Sequence, residues 1–220
     1  MIREFVSFPK SGRTWIRYLL GQLGVDREIA FHHDRFEFND GAKPPHDFDL
    51  AARLAHYRNV DRLVYLERDP RDVMVSLYHQ VTGRFREFFA YDGTLSQFIR
   101  DDYFGATNLE RFRRMWHAIA RERAFPIVTY EACHADPAAI VRRIVDYYGF
   151  DVDDAAIARA VAASSFERMK EVEAADDFPE PWLRPKSGFP KVREGKVGGF
   201  RSVLAHEDIA YLDAIFGTRD

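Results

Sequence analysis

The sequence holds a single cysteine, Cys133, so it cannot close a disulfide within the chain. It has no uninterrupted apolar run near the length of about 18 residues that a membrane-spanning helix needs, which leaves only peripheral attachment to a bilayer. It lacks a basic excess: Lys plus Arg number 32 against 35 Asp plus Glu, a formal net charge of -3. Nonspecific nucleic-acid binding is therefore not expected, and any site for a polyanion must be local. The G-x-x-x-x-G-K-[ST] spacing of nucleotide triphosphatases is missing. No metal-ligand spacing links His32, His33, His46 and His56, so no metal site is expected. The opening residues carry no secretory n-region, h-region and cleavage site, and with the lone Cys133 this suggests a reducing cytoplasm.

What the chain does have is enough apolar material for one substantial core, with 46% hydrophobic and 15% aromatic residues in 220. One domain over 1–220 is the expectation. Residues 2–8 form an apolar, β-branched run that ends at Pro9 and Gly12, after which Trp15, Ile16, Leu19 and Leu20 recur at helical spacing. Strands are expected over 28–33, 62–67 and 125–130, and helices over 71–80, 95–101, 109–121, 138–148 and 204–216. Strands alternating with helices predict an α/β fold, a three-layer sandwich with a central parallel sheet. The stripe Phe112, Met115, Trp116 and Ile119 suits a core face better than a ligand box. Residues 174–199, rich in Pro, Gly and charge, are expected to form a mobile loop over the site.

Two motifs carry the chemistry. The first is PKSGRTW, Pro9 to Trp15, between a predicted strand and a predicted helix. Backbone N–H groups of a Ser/Gly loop at a helix N-terminus cradle an anion, and Lys10 adds a full positive charge. An ordinary turn with a solvated Lys is the plainer explanation, and Pro185 to Gly188 repeats PKSG with no strand before it, so the context is what distinguishes the first copy. The second motif is RDPRDVMVS, Arg68 to Ser76. Arg68 ends a strand at the carboxyl edge of the sheet, where it can fork two hydrogen bonds to a phosphate, and Ser76 lies one to two turns into the helix. A capped helix start, with Asp69 as N-cap and Pro70 at N1, is compatible with that role.

With both motifs in place the chain resembles the family of sulfotransferases that use 3′-phosphoadenosine 5′-phosphosulfate (PAPS), with a P-loop-like fold. Three further segments carry the resemblance in the family's order: Tyr130-Glu131, Ser164-Ser165-Phe166-Glu167, and Arg193 to Phe200, which is similar to R-K-G-x-x-G-D-W. The resemblance implies that Lys10, Ser11, Gly12, Arg13 and Thr14 hold the 5′-phosphosulfate, and that Trp15 and Phe166 sandwich the adenine. It also implies that Tyr130 and Ser164 meet the adenine edge, and that Arg68, Ser76, Arg193, Glu194 and Gly195 belong to the 3′-phosphate side. Glu194 stands where the family has a basic residue, and Gly199 and Phe200 replace Asp and Trp.

The implied reaction moves a sulfuryl group from PAPS to a hydroxyl or amine of a small-molecule, lipid or sugar acceptor and leaves PAP, the 3′,5′-bisphosphate. Positioning and charge dominate such transfers, which gives Lys10 and Ser76 catalytic roles beside the donor. A base for the acceptor proton is also needed, and His is the usual choice near neutral pH. The family's base follows the second strand, which points to His33, with His32 its neighbour and His46 its rival; Phe31 occupies a position where cytosolic members place a Lys. A kinase-like nucleotide enzyme and a noncatalytic PAPS-binding module are the competing readings. The partners expected are the acceptor and, as an option, a second copy of the chain, with no nucleic acid. Phe36, Phe38, Phe85, Phe88, Phe89, Tyr91, Phe178 and Trp182 would either line an acceptor pocket or pack their own loops.

Overall fold

The first eight residues set the architecture: Phe5 and Val6 are both fully buried, so β1 (Arg3–Ser7) must be covered on both faces, as central strands of parallel sheets are. In the computed structural model, which describes residues 1–38, 40–174 and 195–217, the Glu173 side chain aside, β1 is followed by α1 (Arg13–Gln22) and β2 (Ala30–His32). Then come α2 (Leu50–Tyr57), β3 (Arg62–Glu67), α3 (Pro70–His79), α4 (Arg86–Phe89), α5 (Leu95–Ile99) and α6 (Ala106–Arg123). The chain continues through β4 (Ile127–Thr129), α7 (Tyr130–Ala135), α8 (Pro137–Tyr148), α9 (Asp154–Ala163), α10 (Phe166–Ala174) and α11 (His206–Phe216).

All pairings among the four strands are parallel, in the order β2-β1-β3-β4. The chain leaves β1 for one side of the sheet and returns to build β3 on the other, so the strand order switches between β1 and β3. Open α/β sheets bind ligands in the crevice outside the carboxyl ends of the strands at such a point. On one face, Phe5, Val64 and Leu66 pack against Ile16, Leu19 and Leu20 of α1 and Val141, Ile144 and Val145 of α8. On the other, Val6, Leu63 and Tyr65 meet Met74 and Leu77 of α3 and Phe112, Trp116 and Ile119 of α6. The expected three layers are present, and the aromatic stripe of α6 is core.

Several boundaries differ from the sequence expectation. The second strand is shorter than 28–33 because residues 26–28 close a 3-10 turn, with Ile29 N–H donating to the Asp26 carbonyl at 3.2 Å. The fourth stops at Thr129, whose hydroxyl accepts the Ala132 N–H at 3.1 Å and starts α7 at Tyr130. Phe36, Phe38, Phe85 and Phe89 are 7% exposed or less and join the core; Phe88 alone of the described set is largely exposed, at 51%. Phe178 and Trp182 lie outside the described residues, as do 175–194 of the expected loop.

Phe112 is fully buried, with its ring 5.2 Å from that of Phe8 and 4.8 Å from that of Phe36. Phe112→Ala should lower the unfolding free energy by about 3–5 kcal/mol, read from urea denaturation. A loss under about 1 kcal/mol would mean that this side of the sheet is not a packed layer.

Candidate active site at the carboxyl edge of the sheet

Each of the four strands delivers a polar group at its carboxyl end: Lys10 after β1, His33 after β2, Arg68 after β3 and Tyr130 after β4. Arg68 brings three of these together. Its guanidinium lies over the Tyr130 ring at 4.4 Å, Nη1 donates to the Lys10 carbonyl at 3.3 Å, and Nη2 donates to the Lys196 carbonyl at 2.9 Å. The turn beginning at Pro9 and the arginine at 68 are therefore in contact, at the β1/β3 switch.

The loop itself is shaped by left-handed backbone. Lys10 sits at φ 73 and Gly12, the N-cap of α1, at φ 96. Gly12 is also pressed on Tyr130: a Cβ built there would fall 2.3 Å from the ring Cδ2. Glycine is required on both counts. Ser11 is buried, Thr14 is half-buried in the first turn of α1, and Arg13 begins that helix. Burial lowers the Arg13 pKa to about 10, against the opposing pull of Glu37, so the group remains cationic at neutral pH.

Trp15, Tyr130, Ser164 and Phe166 lie close together. Trp15 Nε1 donates to the Ser164 carbonyl at 2.8 Å, and its ring meets Tyr130 edge-on at 5.8 Å. Phe166, two residues beyond Ser164, lies against Gly195, where an added Cβ would come within 2.5 Å of the ring. The Tyr130 hydroxyl donates to the Gly195 carbonyl at 3.1 Å, and burial raises its pKa, keeping the phenol a donor. Asp69 is the N-cap of α3 and Pro70 opens it, as expected; Ser76 sits partly exposed farther along that helix, beyond the Arg68 contacts. Arg193 and Glu194 lie outside the described residues.

The three histidines separate. His33 Nδ1 lies 2.8 Å from the Ser7 carbonyl, which can only accept, so Nδ1 carries the proton and Nε2 is the basic nitrogen. His32 turns away to Glu4 at 2.8 Å and stacks on Tyr57. His46 is stacked between Phe36 and Tyr103, at 4.8 and 4.4 Å, and burial lowers its pKa.

Sequence reasoning missed the residues that hold these groups still. His33 opens a turn closed by the Phe36 N–H on the His33 carbonyl at 3.0 Å, with Asp34 and Arg35 at φ 52 and 67, as a type I′ turn demands. The strained turn is anchored by the buried Asp34 carboxylate, which accepts from Tyr57 Oη at 2.7 Å and Trp116 Nε1 at 3.2 Å and pairs with Arg53 at 3.0 Å. Glu37 accepts the His33 N–H at 3.2 Å, and Glu131 accepts the Asp69 N–H at 2.9 Å. Beside them Arg68 and Asp72, opposite charges at i, i+4 in the second motif, stand 3.6 Å apart.

Comparison with known proteins settles the family, since the profile of the sulfotransferase domain matches residues 5–219. The chain belongs to the sulfotransferase domain family. Rabbit (Oryctolagus cuniculus) sulfotransferase 1C2 is 23% identical over 96% of this chain and 80% of the relative. Cytosolic sulfotransferase 16 of Arabidopsis thaliana is 23% identical over 95% of this chain and 73% of its own length. In fold, the chain is similar to a mouse sulfotransferase crystallised with PAP, with a TM-score of 0.70 at 16% identity over 98% of this chain and 82% of that one. A retinol dehydratase in complex with retinol and PAP gives a TM-score of 0.65 at 18% identity over 99% and 81%. The chemistry of that family is sulfuryl transfer. No helix among the described residues is long and apolar enough to cross a membrane.

Gly12→Ala combines left-handed strain with a clash on Tyr130. It should weaken PAP binding about tenfold or more in titration calorimetry, from a left-handed penalty of about 1–2 kcal/mol before the clash is counted. Wild-type affinity in the variant would show that the loop does not touch the donor.

Proposed function

We propose that the crevice at the β1/β3 switch is the donor site, and that this sulfotransferase acts on a hydroxyl or amine of a small-molecule acceptor with His33 as base. The observation that carries the assignment is the Arg68 hydrogen bond to the Lys10 carbonyl, which puts an anion loop and a phosphate-type arginine within one side chain's reach. The fit of a doubly anionic adenosine donor is supported by what the chain leaves unsatisfied. Arg13 Nη1, Arg68 Nε and Ser164 Oγ are buried without a hydrogen-bond partner among the described residues, one at each part of the crevice. A buried polar group left in that state costs about 1–3 kcal/mol, which a ligand rich in acceptor oxygens and nitrogens relieves.

On this reading Lys10, Ser11, Gly12, Arg13 and Thr14 hold the 5′-phosphosulfate, Trp15 and Phe166 take the adenine faces, and Tyr130 and Ser164 its edge. Arg68, Ser76 and Gly195 serve the 3′-phosphate, with Arg193 and Glu194 completing that side. Bound there, PAPS supplies the sulfuryl group and departs as PAP. Lys10 offsets the negative charge of the transferring group, and Ser76 offers a hydroxyl donor from α3. His33 Nε2 takes the acceptor proton, its orientation fixed through Nδ1 by Ser7 and through the backbone by Glu37 and the Asp34 turn. A cytosolic setting accompanies this reading, supported by the lone Cys133 and by the cytosolic Arabidopsis relative.

Incubation with PAPS and a panel of hydroxylated and amine acceptors, followed by PAP release, tests the assignment. His33→Ala should lower turnover about 10²–10⁴-fold while PAP binds as it does to wild type. Lys10→Ala should cost on the order of 10²–10³ in turnover. Full activity in His33→Ala would place the base elsewhere, with His46→Ala the next variant to assay.

A further inference from the structure

Asp72 is 4% exposed and lies in the first turn of α3, one helical turn past Arg68. Its carboxylate is spent on a distant segment: Oδ2 accepts the Gly198 N–H at 2.8 Å and Oδ1 the Phe200 N–H at 2.9 Å. Those amides open the 3-10 turn Gly199–Ser202, whose own N-cap position, Gly198 at φ 72, has no side chain to offer. A residue on α3 thus provides from outside the cap that the turn lacks. Phe200, 1% exposed, is held in the same place by the Arg71 guanidinium 4.2 Å over its ring.

The α3 helix does not need Asp72 for its own start, because Asp69 already caps it. The favourable placing of an acid near a helix N-terminus explains a carboxylate there, but not its burial or its two backbone partners. What the latched segment does is visible upstream, where Lys196 receives Arg68 and Gly195 receives Tyr130 while lying on Phe166. Gly198 and Phe200 are therefore the fixed end of a strap whose other end reaches the Arg68 side of the crevice.

We infer that Asp72 is a positioning residue for the 3′-phosphate end of the donor: it fastens segment 195–200 to α3, and so fixes Gly195 and the Arg68 guanidinium. The inference rests on the donor-site reading above and deepens it. Charge alone gives the opposite expectation. Asp72 stands 3.6 Å from Arg68 and partly offsets it, so removing its charge without loosening the strap would strengthen the binding of a phosphate to Arg68.

The test compares PAP with adenosine 5′-phosphate, which lacks the 3′-phosphate, by titration calorimetry on wild type and Asp72→Asn. In the variant, PAP affinity should fall about 10- to 100-fold, the scale of losing hydrogen bonds to a charged group, while adenosine 5′-phosphate changes by less than about threefold. An unchanged or tighter PAP affinity overturns the inference, as do equal losses for the two nucleotides, which would mark a purely structural role. Wild type that binds PAP no better than adenosine 5′-phosphate sinks the donor-site reading instead, and is seen before any variant is made. Should Asp72→Asn not fold, amide hydrogen exchange on ligand-free wild type decides: Gly198 and Phe200 should exchange slowly, and exchange at unprotected rates overturns the latch.

Discussion

The guanidinium of Arg68 is the part on which the site depends. A planar, permanently charged fork is the one side chain that can lie flat on Tyr130 and still send separate N–H groups to two backbone carbonyls. One carbonyl belongs to the loop after β1, the other to Lys196, 128 residues beyond Arg68. A lysine would offer one compact charge and no plane. Through this group, three stretches of chain that no secondary structure joins share a single geometry, and that is possible only because β1, β3 and β4 run parallel and end at one level.

The same edge shows how strain is placed where chemistry needs it. Lys10, Asp34 and Arg35 are non-glycine residues at positive φ, each costing about 1–2 kcal/mol relative to ordinary backbone. The first lies in the loop after β1, the other two immediately after the proposed base. Each is held by a specific contact: the Lys10 carbonyl by Arg68, and the Asp34 turn by Tyr57, Trp116 and Arg53.

The order of the strands and the positions of both motifs were legible in the sequence, because strand runs ending in Pro9 and Arg68 are local patterns that need no knowledge of the fold. The helices α2, α4, α7, α9 and α10 carried weaker signals and went unassigned; α9 is an alanine-rich stretch whose start is marked chiefly by the Asp153 cap. The supporting carboxylates were not legible. Asp34 finds Tyr57 and Trp116 at separations of 23 and 82 residues, and Asp72 finds Gly198 at 126, so no spacing rule reaches them. The aromatic residues assigned to an acceptor lining were ambiguous for a related reason: a Phe-rich loop looks the same in sequence whether it faces a ligand or folds under itself.

The sheet tapers. Its inner strands, β1 and β3, have 5 and 6 residues, while the outer two, β2 and β4, have 3 each. So few unpaired amides and carbonyls at either margin give an incoming strand almost nothing to zip onto. Self-association of this protein by sheet extension is thereby discouraged.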